Sequence, residues 1–250
     1  MEVHHHPKAE KKGFKEYFFE FIMIFLAVSL GFVAENLREK MTEHKQIREY
    51  MGSMVNDLQS DLTLYKDAIA YNENHCASIN KIITSIYKPG SDIGEIYYDA
   101  RHLTLGTSVI TPDSKTFEQM KSSSGFRLVK NTAVADSIAS YYQWTQKFEY
   151  WSDLQKQRLN DVISANDRIF DATIFFSILK KIENKDTTGS NSSDMRPALI
   201  TTDHTTVNAV MMKYQYYYGF LKLMNERAAW AYEQAQRLIT LIKSEYNVKQ

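Results

Sequence analysis

The chain has 250 residues, 44% of them hydrophobic and 13% aromatic, enough to bury a substantial core in one extended or two compact domains. Nine glycines and four prolines are few for a turn-rich β fold and point to long helices. Thirty basic against thirty acidic residues leave no single-sign field for a polyanion, which argues against nucleic acid, and a lone cysteine, Cys76, excludes an internal disulfide and any multi-thiolate zinc site.

Residues 1–16 are expected to be a cytoplasmic tail. His4-His5-His6 within it can hold a metal ion only weakly and reads as incidental. The first element, predicted over 17–35, is the stretch FFEFIMIFLAVSLGFVA, Phe18 to Ala34, which carries Glu20 near its front. A bilayer core takes about 20 apolar helical residues, with a lower limit near 17, and the stretch meets that limit only with Glu20 counted. Without Glu20 it is short enough for the apolar region of a cleaved signal peptide. Retention is favoured because no helix breaker follows: AENLREKMTEHKQIREYM continues with strong helix formers. The basic residues tie, Lys8, Lys11, Lys12 and Lys15 before the span against Arg38, Lys40, Lys45 and Arg48 after it. A short basic tail before a large body is the layout of a signal anchor, so residues 36–250 are expected outside the cytoplasm, with the span in a bacterial inner membrane.

At about 100° per residue Glu20, Ala27, Gly31 and Ala34 share one helical face, and Ala27 and Gly31 form a small-x-x-x-small pair suited to a neighbouring helix. Glu20 has two readings. It is a headgroup-level carboxylate snorkelling beside Lys15 and Tyr17, or a buried acid that pairs with a partner helix or relays a proton.

A stalk is expected over 36–87. Apolar residues step three and four apart from Leu37 and Met41 through Met51, Leu58, Leu62, Tyr65 and Cys76 to Ile86, a coiled-coil seam, with Asn72 the polar residue that sets register. Pro89-Gly90 ends it, giving a rod of about 75 to 80 Å at 1.5 Å per residue. A connector over 88–131 holds a short amphipathic piece at Ile96, Tyr97, Ala100 and Leu103, a helix start at Thr111-Pro112-Asp113 and a short helix SKTFEQMK. A second long helix is expected over 132–184, uninterrupted because neither Gly nor Pro lies between Phe126 and Thr188. A polar loop, 185–203, and a last helix, 204–246, complete the chain. The predicted fold is all-α: one transmembrane helix running into a stalk, and an antiparallel bundle of about three long helices outside the membrane.

TFEQMKSSSGFRLVKNTAVADSIASYYQ, Thr116 to Gln143, together with EFIMIFLAVSLGFVAENLRE, resembles an uncharacterised family of bacterial single-pass membrane proteins. That family has a span with an acid near its start running into Ala-Glu-Asn, then a Lys-Ser-Ser-Gly turn, an apolar-Ile-Lys-Asn helix start and paired tyrosines. Phe117, Met120, Lys121, Ser123, Ser124, Gly125, Leu128, Val129, Lys130, Asn131, Tyr141 and Tyr142 occupy those places, with one extra serine in the turn and little likeness in the last third. The resemblance implies one span and an exported helical body, and no activity. Within the corner, Gly125 is expected to take positive φ and Asn131 to cap the next helix, while Lys121, Arg127 and Lys130 raise the alternative of an anion site.

No Gly-rich phosphate loop, HExxH or Gly-x-Ser-x-Gly occurs. His75 and Cys76 are adjacent and diverge on a helix, so they form no nucleophile and base. Asp57 and Asp61, one turn apart, are the nearest thing to paired carboxylates, without an evident pocket. The clusters YYQWTQKFEYW and YQYYYGF read as core, with an aromatic ligand pocket as the alternative. The expected protein is therefore a non-enzymatic, membrane-anchored interaction or scaffold protein without cofactor or metal. Its partners are the lipid bilayer and a protein partner or a second copy. The alternatives are an exported ligand sensor or an accessory subunit of an ion-driven complex using Glu20.

Overall fold

The computed structural model describes residues 13–183 and 197–248. His4-His5-His6 and most of the expected 185–203 loop lie outside them. All regular structure among the described residues is helical: α1 (Phe14–Ser85), α2 (Ile93–Leu103), α3 (Lys115–Ser122), a 3₁₀ turn (Gly125–Leu128), α4 (Thr132–Thr145), α5 (Lys147–Asn166), α6 (Ala172–Glu183) and α7 (His204–Tyr246). The chain divides into two compact units, residues 1–50 and 51–250.

In the first unit α1 opens with Glu16 accepting the Gly13 N–H at 3.0 Å, a carboxylate closing a free helix N-terminus. The apolar run that follows makes α1 long and apolar enough to span a membrane, and none of its apolar window is buried. Beyond that run Leu37, Met41, His44 and Arg48 are also exposed, so the seam expected from Leu37 onward is not packed in this unit.

In the second unit most of the seam is buried. Met51, Val55, Leu58, Tyr65, Cys76, Ile79 and Ile86 lie inside, together with Met54, Ala68 and Ile82 on the flank of the stripe, as a broad core-facing sector requires. One core cluster joins Ile79 and Ile82 of α1 to Tyr97 and Ala100 of α2, Val162 of α5, and Val210, Tyr214 and Tyr217 of α7. Another joins Tyr65 and Ala68 to Ile110, Phe148, Met224, Ala228 and Ala231. Ala228 and Ala231 give α7 small side chains at this contact. After α1 the chain turns through Gly90, whose φ of +78° only glycine adopts without strain. Asp92 caps α2 by accepting from the N–H groups of Gly94 and Glu95.

The helix expected over 132–184 is divided, although its sequence holds no Gly or Pro. At its first break the buried Thr145 hydroxyl donates to the Tyr142 carbonyl, competing with the helix ladder. At the second break, after Asn166, Asp171 starts α6 afresh by accepting from the N–H groups of Thr173 and Ile174. Tyr97 secures the turn: its hydroxyl accepts the Asp171 N–H at 2.7 Å and donates to the Ala198 carbonyl at 2.8 Å. α7 starts where Asp203 accepts the Thr206 N–H and runs unbroken.

Leu58 is fully buried and Leu62 half-buried, while Lys66 is exposed with its ammonium 5.3 Å from the Tyr232 ring. Leu58→Ala should cost about 2 to 5 kcal/mol, Leu62→Ala less, and Lys66→Ala no more than about 1 kcal/mol. Thermal unfolding of the detergent-solubilised chain checks the order, and equal losses from Leu58→Ala and Lys66→Ala would refute this assignment of the buried face.

Candidate functional site

The carboxylates of Asp57 and Asp61 leave α1 on the buried face and meet the segment that carries α3. Ser114 precedes α3 but makes no side-chain cap. Asp57 supplies it from α1, its Oδ2 accepting the Thr116 N–H at 3.0 Å. Asp61 Oδ1 accepts the Asp113 N–H at 2.7 Å, and its Oδ2 accepts the Tyr141 hydroxyl at 2.6 Å, with Tyr65 hydrogen-bonded to Tyr141 at 3.0 Å. The two acids thus hold α3 and α4 against α1.

Asp61 is 1% exposed. Burial pushes its carboxyl up to about 6, against the lowering effect of the hydrogen bonds from Tyr141 and Asp113; the charges of Asp113 and Asp57 add to the rise. Burial likewise raises Tyr65, Tyr141 and Tyr142, so all three stay protonated. The Tyr142 hydroxyl is buried without a partner among the described residues, and Phe117 of α3 stacks on its ring at 4.4 Å. An acid with a raised pKa in a chain of hydroxyls can move a proton between pH 5 and 7.

Around this pair lies the expected corner. Asn131 caps α4, its Oδ1 accepting from the N–H groups of Ala133 and Val134. Gly125 is buried at the start of the 3₁₀ turn, but the positive φ falls on Ser124, at 57°. The expectation for Gly125 is corrected: Ser124, the serine before it, takes the left-handed position. Lys121 is held by Glu118 at 3.1 Å and lies 5.1 Å from the Phe117 ring. Its charge is thus met within α3, which weakens the anion reading with Arg127 and Lys130, both exposed.

Further along the same face Asn72 forms a second polar junction. Its Nδ2 donates to Asn225 Oδ1 at 2.9 Å, and its Oδ1 accepts from Ser108 at 2.7 Å and Gln155 at 3.3 Å. Asn225 donates in turn to Glu73, which also binds Lys222 at 2.8 Å. The Lys222 and Asn225 hydrogen bonds hold the Glu73 carboxyl below its usual range.

The remaining candidates separate. Ala27, Gly31 and Ala34 are exposed in the first unit, with nothing within 4 Å of a Cβ placed on Gly31, and Glu20 is half-buried. His75 stacks on Tyr71 at 4.3 Å, and burial raises the Cys76 thiol to about 11, which keeps it un-ionised. The Tyr214–Tyr217 pair belongs to one core cluster, while Phe220 packs with Trp144, Phe148 and Trp151 in the other, so the two aromatic runs serve as core. Among the described residues no group of three or more His, Cys, Asp or Glu is placed to hold a metal ion. Compared with protein-family models, curated proteins and solved structures, the chain gives no match in any of the three.

A carboxyl whose folded pKa is raised from 3.8 to about 6 contributes stability that is full below the unfolded value and is lost as pH rises through the folded one. The span corresponds to ~3 kcal/mol. Between pH 7.5 and 4.5 the wild type should therefore gain stability relative to Asp61→Asn, which carries no titrating group there. Parallel melting curves for the two proteins across that range would remove Asp61 as the titrating acid.

Proposed function

We propose that the protein is a membrane-anchored, non-enzymatic interaction or scaffold protein, with α1 crossing a bacterial inner membrane over residues 17–35. In this reading residues 1–16 are cytoplasmic and residues 36–250 form an antiparallel helical bundle in the periplasm. The observation that carries it is the apolar window of α1, of which nothing is buried within the protein. Phe18, Phe21, Phe25, Leu30 and Phe32 are each more than half exposed, a surface that calls for lipid or another apolar helix as its solvent. The resemblance of this span and of the Lys121–Asn131 corner to the single-pass family supports the same topology.

The partner is another envelope protein or a second copy of the chain, approached through the face of Glu20, Ala27, Gly31 and Ala34. Glu20 sits one turn inside the apolar boundary, where a carboxylate reaches the headgroups. The Ala27–Gly31 pair lets a second helix come close, and a larger side chain at Gly31 blocks it.

A periplasm-active reporter fused after Gln250 should be active and a cytoplasm-dependent one silent; the reverse pattern would overturn the orientation. Co-purification from membranes gives the second test. Gly31→Leu should weaken association and Glu20→Gln leave it intact, whereas loss with Glu20→Gln alone would mark the acid as the partner contact and shift the reading toward an ion-coupled subunit.

A further inference from the structure

A groove of about 400 Å³ runs between α4 and the C-terminal half of α7. It lies within the second unit and does not rest on the membrane reading. Its lining is mostly apolar, with Tyr141 and Leu238, both buried, and Leu241, half-buried, forming part of it. Trp230 lines it as well. The Trp144 ring lies against that indole at 4.1 Å, yet Trp230 is 41% exposed, so part of its ring stays open to a ligand.

Five side chains of the lining have hydrogen-bonding groups that the protein hardly uses. The carboxylate of Asp136, the hydroxyl of Ser140, the indole N–H of Trp230 and the amide of Gln234 make no hydrogen bond or ion pair with any described residue. Arg237 has one loose ion pair, 3.7 Å to Glu233 on its own helix, and both of those side chains are more than half exposed. Asp136 and Ser140 stand on α4, and Trp230, Gln234 and Arg237 on α7, so the two walls carry opposite charges with no ion pair between them among the described residues. All five are reachable: Asp136, Ser140, Trp230 and Arg237 are exposed and Gln234 is half-buried.

We propose that this groove binds a neutral pyranose sugar, either free or as one unit of a glycan. The charges of Asp136 and Arg237 cancel: an anion meets the first at a cost and a cation the second, while a neutral ligand meets neither. The carboxylate accepts only, the guanidinium donates only, and Ser140 and Gln234 do both. Sugar hydroxyls, each a donor and an acceptor, can answer all four. A pyranose also presents a rigid face of C–H groups, which packs on the electron-rich face of an indole. Being rigid, it loses less freedom on binding than an open-chain polyol does. The volume lies within the ~300 to 1,000 Å³ usual for ligand pockets.

The test is a ¹⁹F NMR titration of the full chain carrying 5-fluorotryptophan, in lipid nanodiscs prepared without sugar-based detergent. The tryptophans are Trp144, Trp151 and Trp230, and Trp230→Phe identifies the signal of the last. The probes are methyl β-glucopyranoside, methyl β-galactopyranoside and N,N′-diacetylchitobiose, with sorbitol as the open-chain polyol and phenylalanine as the ligand that carries both charges. At least one sugar should move the Trp230 signal with a Kd below about 5 mM. Tighter binding of the disaccharide assigns a glycan chain; tighter binding of a methyl glycoside assigns the free sugar. Sorbitol and phenylalanine should bind about tenfold more weakly or worse. Asp136→Ala and Arg237→Met, both at exposed positions, should each weaken the sugar about tenfold, because each removes a hydrogen bond to a charged group. The proposal is overturned if no sugar moves the Trp230 signal at about 50 mM, if sorbitol or phenylalanine binds as well as the best sugar, or if the Asp136→Ala and Arg237→Met proteins both bind that sugar as the wild type does.

Discussion

The second unit is organised around one buried amide. Asn72 is fully buried on α1 and has both ends of its side chain engaged, by Asn225 on one side and by Ser108 and Gln155 on the other. A buried amide left unpaired costs about 1 to 3 kcal/mol per group, so the junction is stable only when α1, α5, α7 and the segment before α3 arrive in one register. Sliding α1 by a single residue would turn Asn72 away from all three partners. Apolar neighbours such as Leu58 and Ile79 tolerate small shifts more readily, because dispersion has little direction. The amide therefore selects one packing among those that the apolar stripe alone would allow.

Asp57 and Asp61 apply the same logic to the chain between α2 and α4. That stretch buries Ile110, Phe117, Met120, Leu128 and Val129, but α3 has only eight residues, too few to hold itself as an isolated helix. Asp57 on α1 takes up its Thr116 N–H, Asp61 takes up the Asp113 N–H just ahead of it, and Tyr141 closes the arrangement from α4. Because Asp61 is buried to do this, it resists ionisation. The strength of the clamp is thereby tied to pH, a consequence of using an acid rather than an amide at that position.

Much of this was legible in the residues. The three-four spacing marks α1 and α7, Asn72 stands out as the polar member of the seam, and Asn131 announces a cap. The breaks after Thr145 and Asn166 were not legible by punctuation, since neither Gly nor Pro marks them. The second has a local signal in Asp171-Ala172-Thr173, a capping aspartate with a hydroxyl two residues on, but its decisive cause is tertiary: Tyr97, far away in sequence, holds the Asp171 N–H. Asp57 and Asp61 could be picked out as a pair one turn apart, yet their task depends on Asp113, Thr116 and Tyr141, which no spacing rule links to them.

The seam also extends too far on paper, and the reason bears on the membrane reading. Leu37 and Met41 continue the spacing but are exposed, because periodicity records what a helix can bury and not whether a partner is present. The same holds more strongly between Phe18 and Val33, where eleven large apolar side chains are each at least half exposed. Leaving a Phe, Leu or Ile side chain in water forfeits about 1.5 to 3 kcal/mol, and even half of that, over eleven residues, rivals the ~5 to 15 kcal/mol that stabilises a whole domain. A chain organised by single hydrogen bonds in its second unit would not keep so large a term unsatisfied in its first. That imbalance is what the proposed bilayer around the helix would relieve, and a helix partner at Ala27 and Gly31 would not by itself suffice, since one narrow face covers only a part of the circumference.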